Sequence, residues 1–467
     1  MDNLEIEEIE EPVSPTGRYL NSSVLCVHVL AVLESEIPID DSQALPLLQH
    51  VLLPINPRFS SIMITGKDGE KRWKQVEVKL EDHIKIPIFP TIDSSNKTYD
   101  EHFDEYMSKI AVEYLPQNRP LWEIHIFKYP TSHAAGTLIF KLHHALGDGY
   151  SLMGALLSCL QRVENPSLPL TFPSNRRFGT ILNKKTIFKL LPWVLSLPFN
   201  TISDFGWSVL KSSLVEDDQT PIRSRDEDMK LRHMVISSVS CTVDQIKEAR
   251  SKLGVSINDV IVGLIFYGIR LYMEEMNQKS SRAQSTALVL LNTRYISGYQ
   301  SVAEMIQTNS WGNKFAFLHV PIPELSEIKI SNPLEFVYQA QKVIDRKKNS
   351  LAVPLTGMLL NAVDKLKGPE TAAKYIHSTL KNSSATISSM IGPVEQMALA
   401  NHPVKGLYFM VAGSPESLSI TIMSYMGNLR IAFGMEKDFI DSERFTSCME
   451  TSLEMTLKAA CKIQAKI

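Results

Sequence analysis

Residues 137–160 read TLIFKLHHALGDGYSLMGALLSCL. An apolar run typical of a strand ends in two histidines, His143 and His144. A glycine-rich turn then leads into an uncharged helical pattern at Ser151–Leu160. Loops between regular elements are where proteins concentrate reactive side chains. The stretch therefore predicts a mixed α/β (α+β) fold with a reactive histidine at the end of a strand.

The spacing within HHALGDG favours acid–base chemistry. Strand alternation sends the side chains of His143 and His144 to opposite faces, so one of them points into any given cavity. Imidazole has a pKa near 6.5 and can therefore accept a proton from an alcohol at cytosolic pH. Gly147 and Gly149 flank Asp148 and permit a sharp turn after the strand. The string thus predicts a general base followed closely by a carboxylate.

Two other interpretations of this string stay open. His-His-x-x-x-Asp contains three possible metal ligands, but adjacent strand histidines point apart and the sequence offers no obvious remainder of a ligand set. We therefore predict no metal. A purely structural role is the other interpretation; it is common for a lone histidine and less so for this composite string.

Composition excludes several classes of protein. The chain has 467 residues, of which 44% are hydrophobic and 21% charged, a balance that supports a large core. A net charge of −3 provides no basic excess, so we expect no nucleic-acid partner. Five scattered cysteines without a CxxC pair disfavour a disulfide framework and a cysteine zinc site. The acidic start, MDNLEIEEIEE, lacks the apolar run of a secretory signal.

Changes in character along the chain predict four parts. A Pro- and Ser-rich stretch precedes the apolar run Leu190–Ser203, which is too short and too interrupted by proline for a confident membrane span. Beyond it, Ser256 and Asp259 form a capping box, and a hairpin pattern surrounds Gly427-Asn428. The predicted parts are an acidic N-terminal tail at 1–20, an N-terminal lobe at 21–163, a linker with an apolar segment at 164–233 and a C-terminal lobe at 234–467.

The string HHALGDG resembles the HHxxxDG motif of the wax ester synthase/diacylglycerol acyltransferase family, in its plant form. Further resemblances extend along most of the chain and cover both predicted lobes, which makes them more specific than HxxxD alone. They are EPVSPTGRYL at 11–20, NPRFSS at 56–61, RPLWE at 119–123, SINDVIVG at 256–263, WGNKFAF at 311–317 and IGPVEQMALANHPVKGLYFMVAG at 391–413.

The resemblance implies a two-lobed fold of the CoA-dependent acyltransferase type, with a tunnel between the lobes. It implies that His144 is the general base, which deprotonates the acceptor hydroxyl for direct attack on the acyl-CoA thioester. His143 then shapes the site. Asp148 turns away from the tunnel and pairs with an arginine, for which Arg294 is the candidate. Acyl-CoA is a co-substrate, and no cofactor is expected.

Other residues of the family motifs are candidates for site support. Gly149 closes the HHxxxDG motif. Asn258 and Asp259 match the family's Asn-Asp motif and are interpreted either as part of a helix cap alone or as a cap that also supports the active site. In the second case Asn258 donates a hydrogen bond toward the developing oxyanion. Trp122 of PLWE is interpreted as core packing.

Two departures from the family pattern stand out. Ser389 occupies a position where the family often has asparagine before the Ile-Gly-Pro turn, which puts substrate preference in doubt. The string DFGWS at 204–208 resembles the DFGWG motif of the plant BAHD acyltransferases. In that family the motif lies near the end of the chain, far from HxxxD, so we interpret the match here as coincidence.

The expected function is a long-chain acyl-CoA-dependent O-acyltransferase that makes wax esters from fatty alcohols and, more weakly, triacylglycerol from diacylglycerol. The expected partners also include a membrane lipid surface, on which the apolar segment Leu190–Phe205 would rest; a buried linker helix is the alternative. The expected location is the cytosolic face of the endoplasmic reticulum membrane, and also the plasma membrane. The alternative functions are a soluble acyltransferase on a small alcohol or amine, and a non-catalytic lipid-binding protein.

Overall fold

A computed structural model describes residues 11–67, 69–90, 97–171, 184–224, 233–294, 300–325 and 332–463, with the side chains of 184–197 outside this description. The chain forms two compact units. Unit 1 comprises Met1–Phe172, Tyr299–Lys314 and Pro393–Gly413, and unit 2 comprises Pro173–Gly298, Phe315–Gly392 and Ser414–Ile467.

Both units contain strands and helices. The strands are β1 (Glu11–Pro12), β2 (His28–Ser35), β3 (Ser61–Thr65), β4 (Lys71–Gln75), β5 (Ile84–Lys85), β6 (Trp122–Phe127), β7 (Gly136–His143), β8 (Gln161–Arg162), β9 (Met234–Thr242), β10 (Thr286–Asn292), β11 (Phe315–Pro321), β12 (Ala385–Ile391), β13 (Met397–Leu399), β14 (His402–Ala412), β15 (Leu418–Tyr425) and β16 (Asn428–Glu436). The longer α-helices are Tyr99–Val112, Gly149–Ser158, Lys184–Ser213, Val243–Leu253, Ile257–Met276, Leu334–Lys348, Ala352–Lys367, Pro369–Lys381 and Ser442–Cys461. Shorter helical turns lie at Pro15–Tyr19, Asp41–Gln43, Ala44–Leu47, Leu48–Leu52, Leu53–Ile55, Pro57–Ser60, Leu80–His83, Gln278–Arg282 and Val302–Gln307.

Unit 1 contains a seven-stranded sheet in the order β5-β6-β7-β2-β14-β13-β8 and a three-stranded sheet in the order β1-β4-β3. In the larger sheet only β5 and β6 pair in parallel. The strand that ends in the paired histidines, β7, lies between β6 and β2, and all eight of its residues are buried. Backbone hydrogen bonds to β6 on one side and to β2 on the other therefore fix the position at which β7 ends.

Two segments that the sequence assigned to the second lobe belong to unit 1. Tyr299–Lys314 lies there, and Pro393–Gly413 supplies β14, which pairs with β2. The residues 11–20, predicted as the end of an acidic tail, contribute β1 and a short helix, and Tyr19 is buried. These assignments depend on pairing between distant parts of the chain, for which local composition carries no signal.

Unit 2 is built on a six-stranded sheet in the order β11-β10-β12-β15-β16-β9, in which β12 pairs in parallel with both β10 and β15. The predicted hairpin is confirmed as β15 and β16, joined at Met426 and Gly427 with φ of +50° and +75°. Both central residues of an I′-type turn need positive φ, and the right-handed twist of the strands favours that turn.

The helix Ile257–Met276 forms the core of unit 2. Every residue from Asp259 to Arg270 is buried, so its uncharged centre is enclosed on all sides. A Cβ at Gly263 would lie 2.5 Å from the Cα of Val337, so glycine allows the close approach of the neighbouring helix. No single helix among the described residues has the length and hydropathy to cross a membrane; only this helix and Val243–Leu253 together do, with a 98° bend between them.

Candidate active site

The two histidines at the end of β7 face different surroundings, as strand alternation predicts. His143 opposes His28 of β2, and their rings meet edge to face with centroids 4.9 Å apart. His144 donates its backbone N–H to the carbonyl of Val27 and directs its imidazole to Asn313. The His144 ring therefore faces Asn313, whereas the His143 ring faces β2.

Asn313 fixes the protonation geometry of the His144 ring. His144 Nδ1 lies 2.8 Å from Asn313 Oδ1, and Asn313 Nδ2 donates to the backbone carbonyl of His144 at 2.9 Å. The second bond places the amide NH₂ at the carbonyl, so the amide oxygen faces the ring and accepts a hydrogen bond from Nδ1–H. The proton consequently resides on Nδ1 and the lone pair on Nε2, which is the arrangement that a general base requires.

Burial sets the charge of this ring. His144 is 7% exposed, and burial lowers its pKa, while the charge of Asp148 and the hydrogen bond to Asn313 act in the opposite direction. A lowered histidine pKa means a neutral imidazole at neutral pH. His144 is thus unprotonated at Nε2 under the conditions where it would accept a proton.

Asp148 positions the segment that carries Asn313. Its Oδ1 caps the helix Gly149–Ser158 by accepting from Ser151 N at 3.1 Å, and its Oδ2 accepts from Lys314 N at 2.8 Å. Its own N–H donates to the Gly312 carbonyl at 3.3 Å. Asp148 therefore holds the backbone on both sides of Asn313, through its carboxylate at Lys314 and its N–H at Gly312.

The same segment is held at a second point. Gly312 donates its N–H to Ser151 Oγ, and that hydroxyl donates to the Gly312 carbonyl, both at 3.1 Å. Gly312 has φ of +109°, which only glycine adopts without strain. Trp311 Nε1 donates to the carbonyl of Leu146 at 3.0 Å. The resemblance of WGNKFAF placed Gly312 and Asn313 near the tunnel, but it gave Asn313 no contact with His144.

Gly147 of HHALGDG is required because of its small size rather than because of a positive φ. A Cβ at Gly147 would lie 2.9 Å from the Cβ of Ser151, so any larger residue would displace the first turn of the following helix. Gly149 is the first residue of that helix, directly after its Asp148 cap. The turn is thus sharp because only the five residues His144–Asp148 separate β7 from the helix.

Other motifs of unit 1 support the HHALGDG loop. Arg58 of NPRFSS donates from Nη1 to the Leu146 carbonyl at 3.4 Å, and its Nη2 forms an ion pair with Glu11 at 2.6 Å. Trp122 of PLWE is fully buried, as predicted, and donates from Nε1 to the Phe59 carbonyl at 2.8 Å. Strings far apart in sequence therefore meet around one loop.

His143 belongs to a buried polar cluster with Cys26 and His28, whose nitrogen and sulfur atoms lie within 4.8 Å of one another. Ala145 N donates to His143 Nδ1 at 3.0 Å, so the ring proton is on Nε2, which lies 3.3 Å from Cys26 Sγ. A protonated nitrogen does not ligate a cation. Burial also lowers the pKa of His143 to about 3 and raises that of Cys26 to about 11. The cluster is suited to hydrogen bonding between neutral groups.

The remaining predicted residues lie in unit 2. The Ser256 cap is confirmed: Asp259 is buried, its Oδ2 accepts from Ser256 N at 2.8 Å, and Asp259 N donates to Ser256 Oγ at 3.1 Å. Asn258 is exposed in the same turn. Arg294 donates from Nη1 to Asn292 Oδ1 at 3.3 Å, and its pairing with Asp148 stays a prediction. Ser389 is exposed near the end of β12.

The fold matches solved acyltransferase-type structures. The chain is similar to the wax ester synthase/diacylglycerol acyltransferase from Marinobacter aquaeolei VT8, with 17% identity, a TM-score of 0.60, and coverage of 96% of this chain and 100% of that one. It is also similar to the first condensation domain of the calcium-dependent antibiotic synthetase, with 12% identity, a TM-score of 0.58 and 98% coverage of both chains. These likenesses define the class: a two-lobed α/β fold shared by these proteins.

Sequence comparison narrows the class to one family. The catalytic-domain model of wax ester synthase/diacylglycerol acyltransferases matches residues 43–261, and the WS/DGAT C-terminal domain model matches residues 311–456. Wax ester synthase/diacylglycerol acyltransferase 4 of Arabidopsis thaliana is 30% identical, over 97% of this chain and 91% of its own. Wax ester synthase/diacylglycerol acyltransferase 11 of the same plant is 29% identical, over 97% of this chain and 95% of its own. The chain belongs to the wax ester synthase/diacylglycerol acyltransferase family, which confirms the predicted family and acyltransferase class.

Proposed function

We propose that the protein transfers a long-chain acyl group from acyl-CoA to the hydroxyl of a fatty alcohol, with wax ester as its main product. Diacylglycerol is a weaker acceptor and gives triacylglycerol. The observation that carries the proposal is the buried His144 ring, held by Asn313 with its lone pair on Nε2, in a chain of this family. The names of the Arabidopsis relatives cover both products.

The proposed reaction needs one base and no covalent intermediate. Nε2 of His144 takes the proton of the acceptor hydroxyl while that oxygen attacks the thioester carbonyl carbon. The tetrahedral intermediate then collapses, the C–S bond breaks, and the proton on Nε2 passes to the sulfur, so CoA leaves as a thiol. Ester and CoA thus account for all atoms of alcohol and acyl-CoA, and His144 returns to its neutral form.

The contacts of the site support this sequence of steps. While Nε2 holds the proton, the ring is an imidazolium, and the Nδ1–H···Oδ1 bond to Asn313 becomes charge-assisted. Asn313 therefore stabilises the transition state more than the ground state. Burial raises the pKa of Cys26 to about 11 and that of Cys159 to about 12, so neither thiol is ionised at neutral pH, which favours direct attack by the alcohol.

The other motif residues have supporting roles in this proposal. His143 shapes the site as a neutral ring, and Asp148 with Gly149 holds the loop and the first turn of the helix. Asn258 donates toward the oxyanion, with Asp259 holding its turn.

We also propose that the enzyme works at a membrane, on the cytosolic face of the endoplasmic reticulum and additionally at the plasma membrane. Its long-chain acceptors are lipids that partition into bilayers. Exposed apolar side chains on the helix Lys184–Ser213 support contact with a lipid surface. A detergent-free lysate separated by centrifugation tests this: the protein is expected in the membrane pellet, and recovery in the supernatant contradicts it.

The activity is tested with membranes from cells that express the parent protein, His144→Ala or the control His133→Ala, an exposed histidine of unit 1. Labelled palmitoyl-CoA is offered with hexadecanol and, separately, with diacylglycerol, and the neutral lipids are resolved. We expect wax ester, and less triacylglycerol, from the parent and the control but neither from His144→Ala. Product from His144→Ala at the parental rate would refute the mechanism. No product from the parent would favour a small acceptor or a non-catalytic role.

A further inference from the structure

The helix Lys184–Ser213 presents an apolar face to solvent where its side chains are described. Phe199, Ile202 and Leu214 are 76%, 73% and 78% exposed, and Leu210 is also exposed. With Gly206, which faces open space, these positions are spaced by three or four residues. At 3.6 residues per turn, that spacing places all of them within an arc of about 120°.

The opposite face of the same helix is polar and buried. Asp204 Oδ1 accepts from Arg346 Nη2 at 2.8 Å and from Lys347 Nζ at 2.9 Å. Lys211 forms a buried ion pair with Asp217. Between residues 198 and 214 the only ionisable side chains are Asp204 and Lys211, so the exposed face of this stretch carries no charge. The usual amphipathic arrangement of a water-exposed helix is therefore reversed.

A second helix, Ala352–Lys367, packs against the first and repeats the pattern. Leu351, Met358 and Leu366 are exposed, Leu366 by 84%, with Pro354 and Ala362 exposed at intermediate positions of the same helical face. The spacing along the chain is the same as in the first helix. The backbone N–H of Leu351 donates to Thr201 Oγ1 at 3.2 Å, which joins the start of this helix to the buried side of the first.

Cations lie at one end of this second helix. Lys365 and Lys367 are exposed in its last turn, whereas its one acidic residue, Asp364, is buried. Long lysine side chains reach from an apolar surface to phosphate groups, and positive charge beside an apolar helix face is typical of helices that lie in a membrane interface. An uncharged face with lysines at its end matches the chemistry of a phospholipid surface.

We propose that the two helices form one lipid-docking face, which rests in the interface of a phospholipid membrane. It consists of Phe199, Ile202, Leu210, Leu214, Leu351, Met358 and Leu366. This inference rests on the proposed function, in which the acceptor is a membrane lipid. The ion pairs and hydrogen bonds on the buried side hold the helices to unit 2, so the apolar side chains remain directed outward whether or not a membrane is present.

Vesicle flotation of the purified full-length chain tests the proposal without any substrate. The probes are phosphatidylcholine vesicles with and without phosphatidylserine. We expect binding that phosphatidylserine strengthens, and at least a tenfold loss of binding in Phe199→Asp/Ile202→Asp, because each removed apolar side chain accounts for about tenfold or more in partitioning. Phe199→Leu/Ile202→Leu should bind like the parent. Ile88→Asp, at an exposed isoleucine of unit 1, is the matched control and should also bind like the parent.

The outcomes separate this proposal from the proposed reaction. Equal flotation of the double aspartate variant and the parent would overturn the docking face. So would a change in oligomeric state of that variant by analytical ultracentrifugation without any change in flotation, since the face would then join two copies of the chain. Loss of flotation supports the face even if no acyl transfer is found. If transfer is found, the double variant should keep its rate on water-soluble short-chain substrates and lose it on vesicle-embedded hexadecanol.

Discussion

Replacing Asn313 by alanine removes the acceptor for His144 Nδ1–H and the donor to the His144 carbonyl. In the proposed reaction the first bond matters more for catalysis, because the ring becomes cationic in the transition state. A hydrogen bond to a charged group contributes about 1.5–3 kcal/mol. At about 1.4 kcal/mol per factor of ten, Asn313→Ala should lower kcat by about 10- to 150-fold, with a much smaller change in KM.

The pH profile separates this role from a merely structural one. The bond to Asn313 raises the pKa of His144, so its loss lowers that pKa, and the acidic limb of kcat/KM should move to lower pH in Asn313→Ala. Asn313→Asp places a carboxylate at the same nitrogen and should move the limb to higher pH. The two variants therefore shift the profile in opposite directions.

The assay is initial-rate formation of ester from acyl-CoA and fatty alcohol between about pH 5 and 9, over a range of both substrates. Thr308→Ala, an exposed change in the same segment of unit 1, should behave like the parent and controls for general loosening of the loop. The reasoning is refuted if Asn313→Ala changes KM alone, or if both Asn313 variants keep the parental pH profile.

Three further predictions concern stability and positioning. Asp148→Asn keeps an acceptor for the helix cap, so in urea unfolding it should lose less stability than Asp148→Ala, which should lose about 1 kcal/mol from the cap alone; equal losses would contradict the capping role. Burial lowers the pKa of His319 to about 3, so below pH 6.5 the unfolded state binds a proton that the folded state does not. Because of this one residue, the free energy of unfolding should fall by about 1.4 kcal/mol for each pH unit below 6.5. When the pH is lowered from 7.5 to 5.5, His319→Leu should lose less stability than the parent; an equal loss would contradict this role of His319. Lys211→Met leaves the buried Asp217 carboxylate without its cation and should cost about 3–5 kcal/mol, recovered in part by Lys211→Met/Asp217→Asn; a neutral single variant would contradict the pairing.

The local pattern of apolar and polar residues was sufficient to predict those strands and helices that bury a regularly spaced set of side chains. The apolar run Thr137–Leu142 proved to be the strand β7, and the uncharged pattern after it proved to be the helix Gly149–Ser158. The Ser256 capping box and the hairpin around Gly427 were predicted for the same reason, since cap and turn chemistry act over three or four residues.

The contact that orients His144 could not be predicted in this way. Asn313 lies 169 residues further along the chain, and a single asparagine in a loop has no periodicity. The position of its segment within unit 1 depends on Asp148 and Ser151, whose bonds to it follow from tertiary folding. Sequence reasoning singled out His144 but not the group that sets its tautomer.

The sequence also did not show which face of the helix Lys184–Ser213 packs inward. Leu190–Ser203 is visibly apolar in sequence, but which side packs inward depends on the ion pairs of Asp204 and Lys211 with distant residues. The usual expectation of an apolar inner face would have placed Phe199 and Ile202 inside, where the structure has polar side chains.

The central claim is that His144 activates the acceptor for direct attack, and single-turnover CoA release tests it most directly. Enzyme in excess is mixed with labelled palmitoyl-CoA, with or without hexadecanol, and CoA thiol, ester and protein-bound label are followed over time. The account predicts that the parent releases CoA only with hexadecanol and in step with ester, and that His144→Ala releases neither. CoA released without acceptor alongside labelled protein, or ester formed by His144→Ala at the parental rate, would contradict it.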